Sequence, residues 1–183
     1  MTILSEPAKR ELVHNRSIEL KCYARGGDLF DIEAHIRDSK PFSTVTNDKE
    51  IRPAETPIHD MWLRVTIDRE FIIVDIEAAM PTGAHWSCEP ATRPYSALVG
   101  LKISSGWLAK AKKLIGRSEG CTHITELLQQ LGTTAFQGVM GLNLREDLEG
   151  GKRESFGSRL IDTCYGLRSD GEIVRLQGKY HNV

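Results

Sequence analysis

The chain has 183 residues, of which 24 are basic and 25 acidic, so its net charge is −1. A nucleic-acid-binding protein needs a surplus of Lys and Arg to replace phosphate counterions, and this class is therefore excluded. No apolar run reaches the length of a membrane span, and the N-terminus lacks the basic and apolar regions of a secretory signal. We expect one cytoplasmic domain over residues 1–183. Four scattered cysteines are too few for a disulfide scaffold, and they point to metal binding or catalysis.

The first predicted element is a β-hairpin over residues 14–38, which follows a loose N-terminal arm over residues 1–13. Apolar and polar residues alternate on both sides of Gly26-Gly27, and a Gly pair supplies the positive φ that a tight turn needs. Cys22 is in phase with the apolar face of the first strand. We therefore interpret it as a core thiol and not as a metal ligand.

A second hairpin follows a polar loop. Its first strand is entered at His59-Asp60 and alternates from Met61 onward, and its return strand covers residues 71–80. The return strand is apolar on both faces, which is typical of a central strand covered on both sides. His59 and Asp60 therefore stand at the entry of an anchored strand.

Three helices are predicted after the second hairpin. The first covers residues 91–103, shortly after Cys88, and the second covers residues 107–115. The third follows Gly120-Cys121-Thr122-His123, with Thr122 as its N-cap. Its apolar stripe consists of Ile124, Leu127, Leu128, Leu131, Ala135, Phe136, Val139 and Met140. Because Cys121 lies beside the free backbone N–H groups of the helix start, its thiolate form is favoured.

These elements predict an α+β fold, with an antiparallel sheet built from hairpins and helices packed on one face of it. Residues 143–158 are charged and Gly-rich, and we interpret them as a linker or a frayed helix end. Residues 159–183 are interpreted as a C-terminal hairpin or tail, with strands over 161–165 and 173–176. Cys164 lies in this last segment, and its role is left open between structure and the functional site.

Residues that commonly bind metal occur at three junctions between loops and regular elements. His59, followed by Asp60, precedes a strand; Cys88 precedes one helix; and Cys121, followed by His123, begins another. Thiolate and imidazole are ligands that Zn²⁺ prefers in proteins. We therefore predict a zinc site formed by His59, Cys88 and Cys121. The alternative is that the three residues are separate core or surface residues.

The order of elements over residues 59–140 resembles the core of the NifU/IscU iron–sulfur scaffold proteins. The segment that begins at His59 is similar to the scaffold's Asp-led first core strand, Cys88 to its middle cysteine, and Cys121-Thr122-His123 to its last cysteine. The resemblance implies a NifU/IscU-like core and a bound metal. The scaffold's first cysteine has no counterpart near His59, and Gly120 replaces a histidine of the scaffold. A single metal ion is therefore favoured over a cluster.

Nearly the whole chain also resembles DUF2889, a bacterial family of unknown function. The segments that carry this resemblance are Asp31-Ile32-Glu33-Ala34, His59-Asp60-Met61 and Gly120-Cys121-Thr122-His123. Members of the family often accompany aromatic-compound catabolism. The resemblance implies little about the chemistry, and it leaves an aromatic substrate as one option. The resemblance also implies that His59, Cys88 and Cys121 belong together.

The predicted ligands support three functions. The first is a zinc enzyme, a lyase or hydrolase that acts on a small organic molecule. Retro-aldol carbon–carbon cleavage is the favoured reaction, because a Lewis acid stabilises the developing oxyanion. The second is a non-catalytic scaffold or sulfur carrier that holds iron or an iron–sulfur cluster. The third is a zinc-stabilised binding domain. A homo-oligomer is left open.

Asp60 and His123 are the predicted catalytic residues, since either could move a proton beside the metal, as could Glu89. Neighbouring strand residues point to opposite sides, so Asp60 alternatively faces away from His59 and anchors the site from behind. His123 is alternatively the fourth ligand. The aromatic residues that could wall an aromatic substrate are Trp62, Trp86, Trp107 and Tyr95.

Overall fold

The computed structural model describes residues 4–46, 49–150 and 160–180, with side chains in the last helix described up to residue 176. Contacts within the chain divide it into two compact units, residues 1–139 and 140–183, and each is described by itself. A single cooperative domain over residues 1–183 stays a prediction. In the described ranges, no helix is both long enough and apolar enough to cross a membrane.

The first unit is built around an antiparallel sheet of four strands, in the order β1-β2-β5-β6. The strands are β1 (Asn15–Arg25), β2 (Leu29–Ser39), β5 (His59–Ile67) and β6 (Ile73–Thr82). Both predicted hairpins are therefore confirmed, and together with the helices they confirm the α+β class. The loop between the hairpins forms a small ribbon of its own, β3 (Thr44–Val45) and β4 (Ile51–Arg52).

One face of the sheet carries the core because the strands alternate. Even-numbered residues of β2 and odd-numbered residues of β5 are buried, as the sequence pattern predicts. The buried residues of these two strands include Phe30, Ile32, Ala34, Ile36, Met61, Leu63, Val65 and Ile67. The opposite face carries charged and polar side chains, which leaves it facing solvent.

The long helix α2 (Thr122–Glu149) covers the core face. Its buried residues are Ile124, Leu127, Leu128, Leu131, Ala135 and Val139, in agreement with the predicted stripe. Gly138 lets the helix approach β1 closely, since a Cβ atom at Gly138 would lie 2.8 Å from the Cβ of Cys22. Cys22 is half-buried on this side of the sheet, and burial raises the pKa of its thiol. Cys22 therefore packs beneath α2.

Helix α2 also runs beyond its predicted end. Of the two interpretations of residues 143–158, a linker or a frayed helix end, the helix end is the one that holds for the first part, because α2 continues to Glu149. Charged residues can continue a helix when they are spaced to form ion pairs one turn apart. Here Arg145 Nε lies 3.6 Å from Glu149 Oε1. Residues 151–158 of this segment lie outside the described residues.

Strand β6 is an edge strand, and the prediction of a central strand is wrong. Val74 is 41% exposed, so one apolar face of β6 is open to solvent. The apolar start of the strand is explained by a backbone partner: the N–H of Ile73 donates to Leu101 and the N–H of Gly100 donates to Ile73. This pairing covers part of β6 without completing a fifth strand.

The segment between β6 and α2 is helical but differs from the prediction. Residues Trp86–Leu98 form 3₁₀ turns instead of an α-helix over 91–103, because Pro90 and Pro94 lack the N–H groups of a regular ladder. Helix α1 (Trp107–Ile115) has the predicted bounds. Its Trp107 packs into the core against Gly132.

The second unit contains the end of α2, a short 3₁₀ turn (Tyr165–Leu167) and helix α3 (Glu172–Tyr180). The predicted C-terminal hairpin is therefore wrong within the described residues. Ile173 and Leu176 are spaced three apart, which suits a helix turn better than one face of a strand. Cys164 is exposed at the start of the 3₁₀ turn.

Candidate metal centre

Three polar residues form a row across one end of the sheet. Arg16 of β1 pairs with Asp38 of β2, and Asp38 pairs with His59 of β5. Each of the three is in phase with the apolar residues of its own strand, so all three side chains point to the core face beneath α2. The antiparallel register therefore assembles a cation, a carboxylate and an imidazole side by side.

Asp38 is the centre of this row. Its side chain is completely buried, and both carboxylate oxygens accept hydrogen bonds. Arg16 donates from Nε to Oδ1 at 2.7 Å and from Nη2 to Oδ2 at 2.8 Å. His59 Nδ1 lies 2.7 Å from Oδ2, and His14 Nε2 lies 3.3 Å from Oδ1. The carboxylate is thus in contact with three side chains, those of Arg16, His59 and His14.

These contacts decide the charge of Asp38. Burial alone raises the pKa of its carboxyl, but the hydrogen bonds and positive charges of Arg16 and His59 outweigh burial and hold the pKa well below its usual range. Asp38 is therefore ionised at neutral pH and can only accept. His59 must donate from Nδ1, which leaves its Nε2 lone pair available when the ring is neutral.

The start of α2 brings two more polar side chains to the same place. The ring of His123 contacts the ring of His59, with centroids 3.9 Å apart. Cys121 Sγ lies 3.9 Å from His123 Nδ1 and 3.6 Å from the Sδ atom of Met61. Two imidazoles, a thiol and a thioether therefore meet beside the buried carboxylate. We refer to Asp38, His59, Met61, Cys121 and His123 as the cluster.

Tyr95 fixes the helix start. Its hydroxyl donates to the Cys121 carbonyl oxygen at 2.8 Å and lies 2.9 Å from Thr125 Oγ1. Burial raises the pKa of Tyr95 to about 12, so the hydroxyl stays protonated at neutral pH. Helix α2 begins at Thr122, so Cys121, and not Thr122, occupies the N-cap position before it. The hydrogen bond from Tyr95 holds the Cys121 backbone in place.

His123 is tuned towards its neutral form. Burial lowers the pKa of its imidazole, and the positive charges of His59 and Arg16 lower it further. Arg16 also donates from Nη1 to Glu126 Oε2 at 3.0 Å, which ties β1 to the first turn of α2. A neutral imidazole keeps one nitrogen lone pair, which a metal ligand requires.

Ligand atoms of Asp38, His59 and His123 lie within 4.8 Å of one another, so these residues could hold a metal ion. Both carboxylate oxygens of Asp38 are already occupied by contacts with Arg16, His59 and His14. Carboxylates in this position commonly orient a histidine ligand from behind. We therefore read Asp38 as the residue that orients His59, with His59 and His123 as the nearest ligands.

The predicted ligands separate into two groups. His59 and Cys121 each contact His123. Cys88 is half-buried in the 3₁₀ segment, beside Gly83. Neither Cys88 nor Cys121 belongs to the group of described residues whose ligand atoms lie within 4.8 Å of one another, but Cys121 contacts His123 and Met61. The zinc site of His59, Cys88 and Cys121 stays a prediction.

Asp60 lies on the other face of the sheet. Its Oδ1 accepts hydrogen bonds from Trp62 Nε1 at 3.1 Å and pairs with His35 Nε2 at 2.9 Å, and the His35 and Trp62 rings are stacked 3.8 Å apart. The structure therefore does not bring Asp60 to the His59 cluster. This geometry matches the alternative in which Asp60 faces away from His59.

The predicted aromatic walls are also dispersed. Trp62 lies on the solvent face, Trp86 is 85% exposed, and Trp107 is a core residue. Tyr95 contacts the cluster through the Cys121 backbone, as described above. Glu89, a further predicted proton carrier, is paired with Arg93 one turn away. A substrate pocket walled by these tryptophans is not formed at the cluster.

Sequence reasoning missed Asp38, Arg16 and His14. A signal was present for the first two, because each continues the buried parity of its strand where an apolar residue would be expected. A charged residue on the buried side of a strand indicates either the end of the strand or a buried partner. His14 precedes β1 and carries no comparable signal.

The fold and the cluster define an α+β protein with a buried carboxylate–histidine centre between its sheet and its long helix. The sequence pattern of a protein family of unknown function, DUF2889, matches residues 14–137. The chain therefore belongs to the DUF2889 family. The match begins at His14 and includes every residue of the cluster. No curated protein and no solved structure matches the chain.

Proposed function

We propose that this protein is a zinc-dependent enzyme, a lyase or hydrolase that acts on a small organic molecule. The observation that carries the proposal is the hydrogen bond from His59 Nδ1 to the buried Asp38 carboxylate, with the His123 ring against the His59 ring and Cys121 Sγ 3.9 Å from His123 Nδ1. A carboxylate behind a histidine fixes the tautomer and direction of a zinc ligand.

The spacing of the donors supports a single ion. Two ligands bound tetrahedrally to one zinc at about 2.0–2.3 Å lie roughly 3.3–3.8 Å apart. Cys121 Sγ and His123 Nδ1 are separated by 3.9 Å, so a small movement of either side chain brings both to one ion. His59, Cys121 and His123 are the three protein ligands that we assign.

Three protein ligands are typical of catalytic zinc, whereas structural zinc takes four. The fourth position would accept water or a substrate oxygen, and zinc there would act as a Lewis acid. We favour retro-aldol cleavage of an aromatic substrate, because this reaction needs stabilisation of an oxyanion and little else from a metal. The protein's own residues orient the ligands: Arg16 and Asp38 hold His59, and Tyr95 holds Cys121.

The metal is tested by elemental analysis of the purified protein. We expect about one zinc per chain in the wild type and in Cys22→Ser, and loss of most zinc in Cys121→Ser and His59→Ala. Cys22 is the matched control because it is also a half-buried thiol, but it packs under α2 away from the cluster. Equal zinc in both cysteine variants would refute the ligand assignment.

The reaction is tested with aromatic β-hydroxy carbonyl compounds, by measuring the aldehyde that cleavage releases. We expect turnover with zinc, loss on chelation and recovery when zinc is returned. His123→Ala should abolish turnover, and Asp60→Asn should leave it unchanged because Asp60 lies on the other face. Zinc binding without turnover on any such compound would favour the zinc-stabilised binding domain.

A further inference from the structure

We propose that the same centre binds copper(I), with the thioether of Met61 as a fourth ligand beside His59, His123 and Cys121. This inference rests on the proposed metal site and extends it to a second metal. Met61 is otherwise an ordinary core methionine by sequence.

The position of Met61 follows from the strand. It lies two residues after His59 on β5, so both side chains point to the core face, and Met61 is 1% exposed. Its Sδ is 3.6 Å from Cys121 Sγ, within the separation of roughly 3.3–3.8 Å for two ligands of one ion. Cys121 Sγ thus has both a sulfur atom and an imidazole nitrogen as near neighbours.

The chemistry of the four donors selects the metal. A thioether is a soft, uncharged ligand that zinc does not favour, whereas thiolate and thioether together select copper(I). Zinc would therefore use three of these residues and leave Met61 unbound. Copper(I) would draw all four to the ion.

The surroundings suit a singly charged ion. Copper(I) with one thiolate is neutral overall, and the carboxylate of Asp38 behind His59 is already balanced by Arg16. The thioether of Met61 is uncharged and already buried. Its binding to the ion therefore does not require water to be removed from a charged side chain. No electron transfer is required, because copper enters and stays in its reduced state.

The experiment measures the affinity of the reduced, metal-free, full-length protein for copper(I) and for zinc, each against a competing chromogenic chelator without oxygen. We expect Met61→Leu to weaken copper(I) binding by about tenfold or more, which corresponds to about 1.4 kcal/mol, and to leave zinc binding unchanged. Met80→Leu is the matched control, since Met80 lies on the neighbouring strand beside Gly83. Cys121→Ser should weaken the binding of both copper(I) and zinc.

The outcomes separate the two proposals. Zinc binding without copper(I) binding, or equal copper(I) affinity in the wild type and Met61→Leu, would overturn the copper inference and leave the zinc enzyme standing. Binding of neither metal would overturn both. X-ray absorption of the copper-loaded wild type provides a test that needs no variant: two sulfur ligands support the inference, and one refutes it.

Discussion

Asp38 is the residue on which the centre depends. It is buried, ionised and bonded to Arg16 and His59, so its removal leaves a guanidinium and an imidazole without their acceptor. A broken buried pair costs about 3–5 kcal/mol, and the figure is smaller here because the Arg16 side chain is 34% exposed. The effect on stability is therefore expected to be large but not maximal.

Asp38→Asn is predicted to lower the free energy of unfolding of the metal-free protein by about 2–3 kcal/mol at pH 7. The amide keeps the shape of the carboxyl but loses its charge. Urea denaturation measures the change. Asp75→Asn, which alters an exposed carboxylate on β6, should change it by less than about 0.5 kcal/mol. Equal effects of the two substitutions would contradict the central role of Asp38.

The difference between wild type and Asp38→Asn should depend on pH. The pKa of Asp38 is lower in the folded than in the unfolded state, so its stabilisation is complete above the ordinary carboxyl pKa near 4. It is lost as the pH falls below about 4, towards the pKa of the folded state. Unfolding measured from pH 7 down to pH 3 tests this. A difference that stayed constant below pH 4 would argue against a depressed pKa.

His123 contributes a second, separate pH dependence. Its pKa is lowered in the folded state, so protonation favours the unfolded state. We predict that the metal-free wild type loses stability relative to His123→Gln as the pH falls from 7 to 5, below the ordinary histidine pKa of about 6.5. NMR titration of the His123 ring provides the direct measurement, and an apparent pKa above 6.5 would contradict the prediction.

At the scale of elements, the contact between α2 and β1 depends on a glycine. Gly138→Ala gains helix propensity of about 1 kcal/mol, but the new Cβ meets Cys22 and overpacking costs about 1–3 kcal/mol. We therefore predict a net loss of stability. Gly141→Ala is the matched control one turn later, where a Cβ meets no described atom within 4 Å, and it should stabilise the protein. Thermal unfolding compares them, and stabilisation by both substitutions would refute the close approach.

The same elements explain which sequence predictions were right. Alternation in the two hairpins and the 3.6-residue stripe of α2 are local patterns, and a local pattern determines the element and its buried face. Strand β6 was predicted to be central, and the segment that forms the C-terminal helix was predicted to be a hairpin. Both predictions were wrong because a short apolar run suits more than one environment. For β6, the deciding factor was the backbone of Gly100 and Leu101, a partner distant in sequence.

For the whole molecule, the cluster and all of its supporting contacts lie in the first compact unit. We predict that a chain ending at residue 142 folds and binds metal with the affinity of the full-length protein. A chain ending at residue 131 should do neither, because it lacks the buried residues Ala135 and Val139. Circular dichroism and zinc titration provide the comparison. Loss of metal binding in the longer truncation would show that residues beyond 142 contribute to the centre.

The sequence by itself determined the α+β class, both hairpins, the bounds of α1 and the buried stripe of α2. It also singled out His59, Cys88, Cys121 and His123, because each lies at a junction between a loop and an anchored element, but it did not separate Cys88 from the other three. Only the tertiary structure decided the rest of the centre. Asp38 joins it because the register of three antiparallel strands aligns Arg16, Asp38 and His59 in one row. Register is a long-range property that depends on how strands pair, and no pattern within one strand encodes which residue its neighbour will carry.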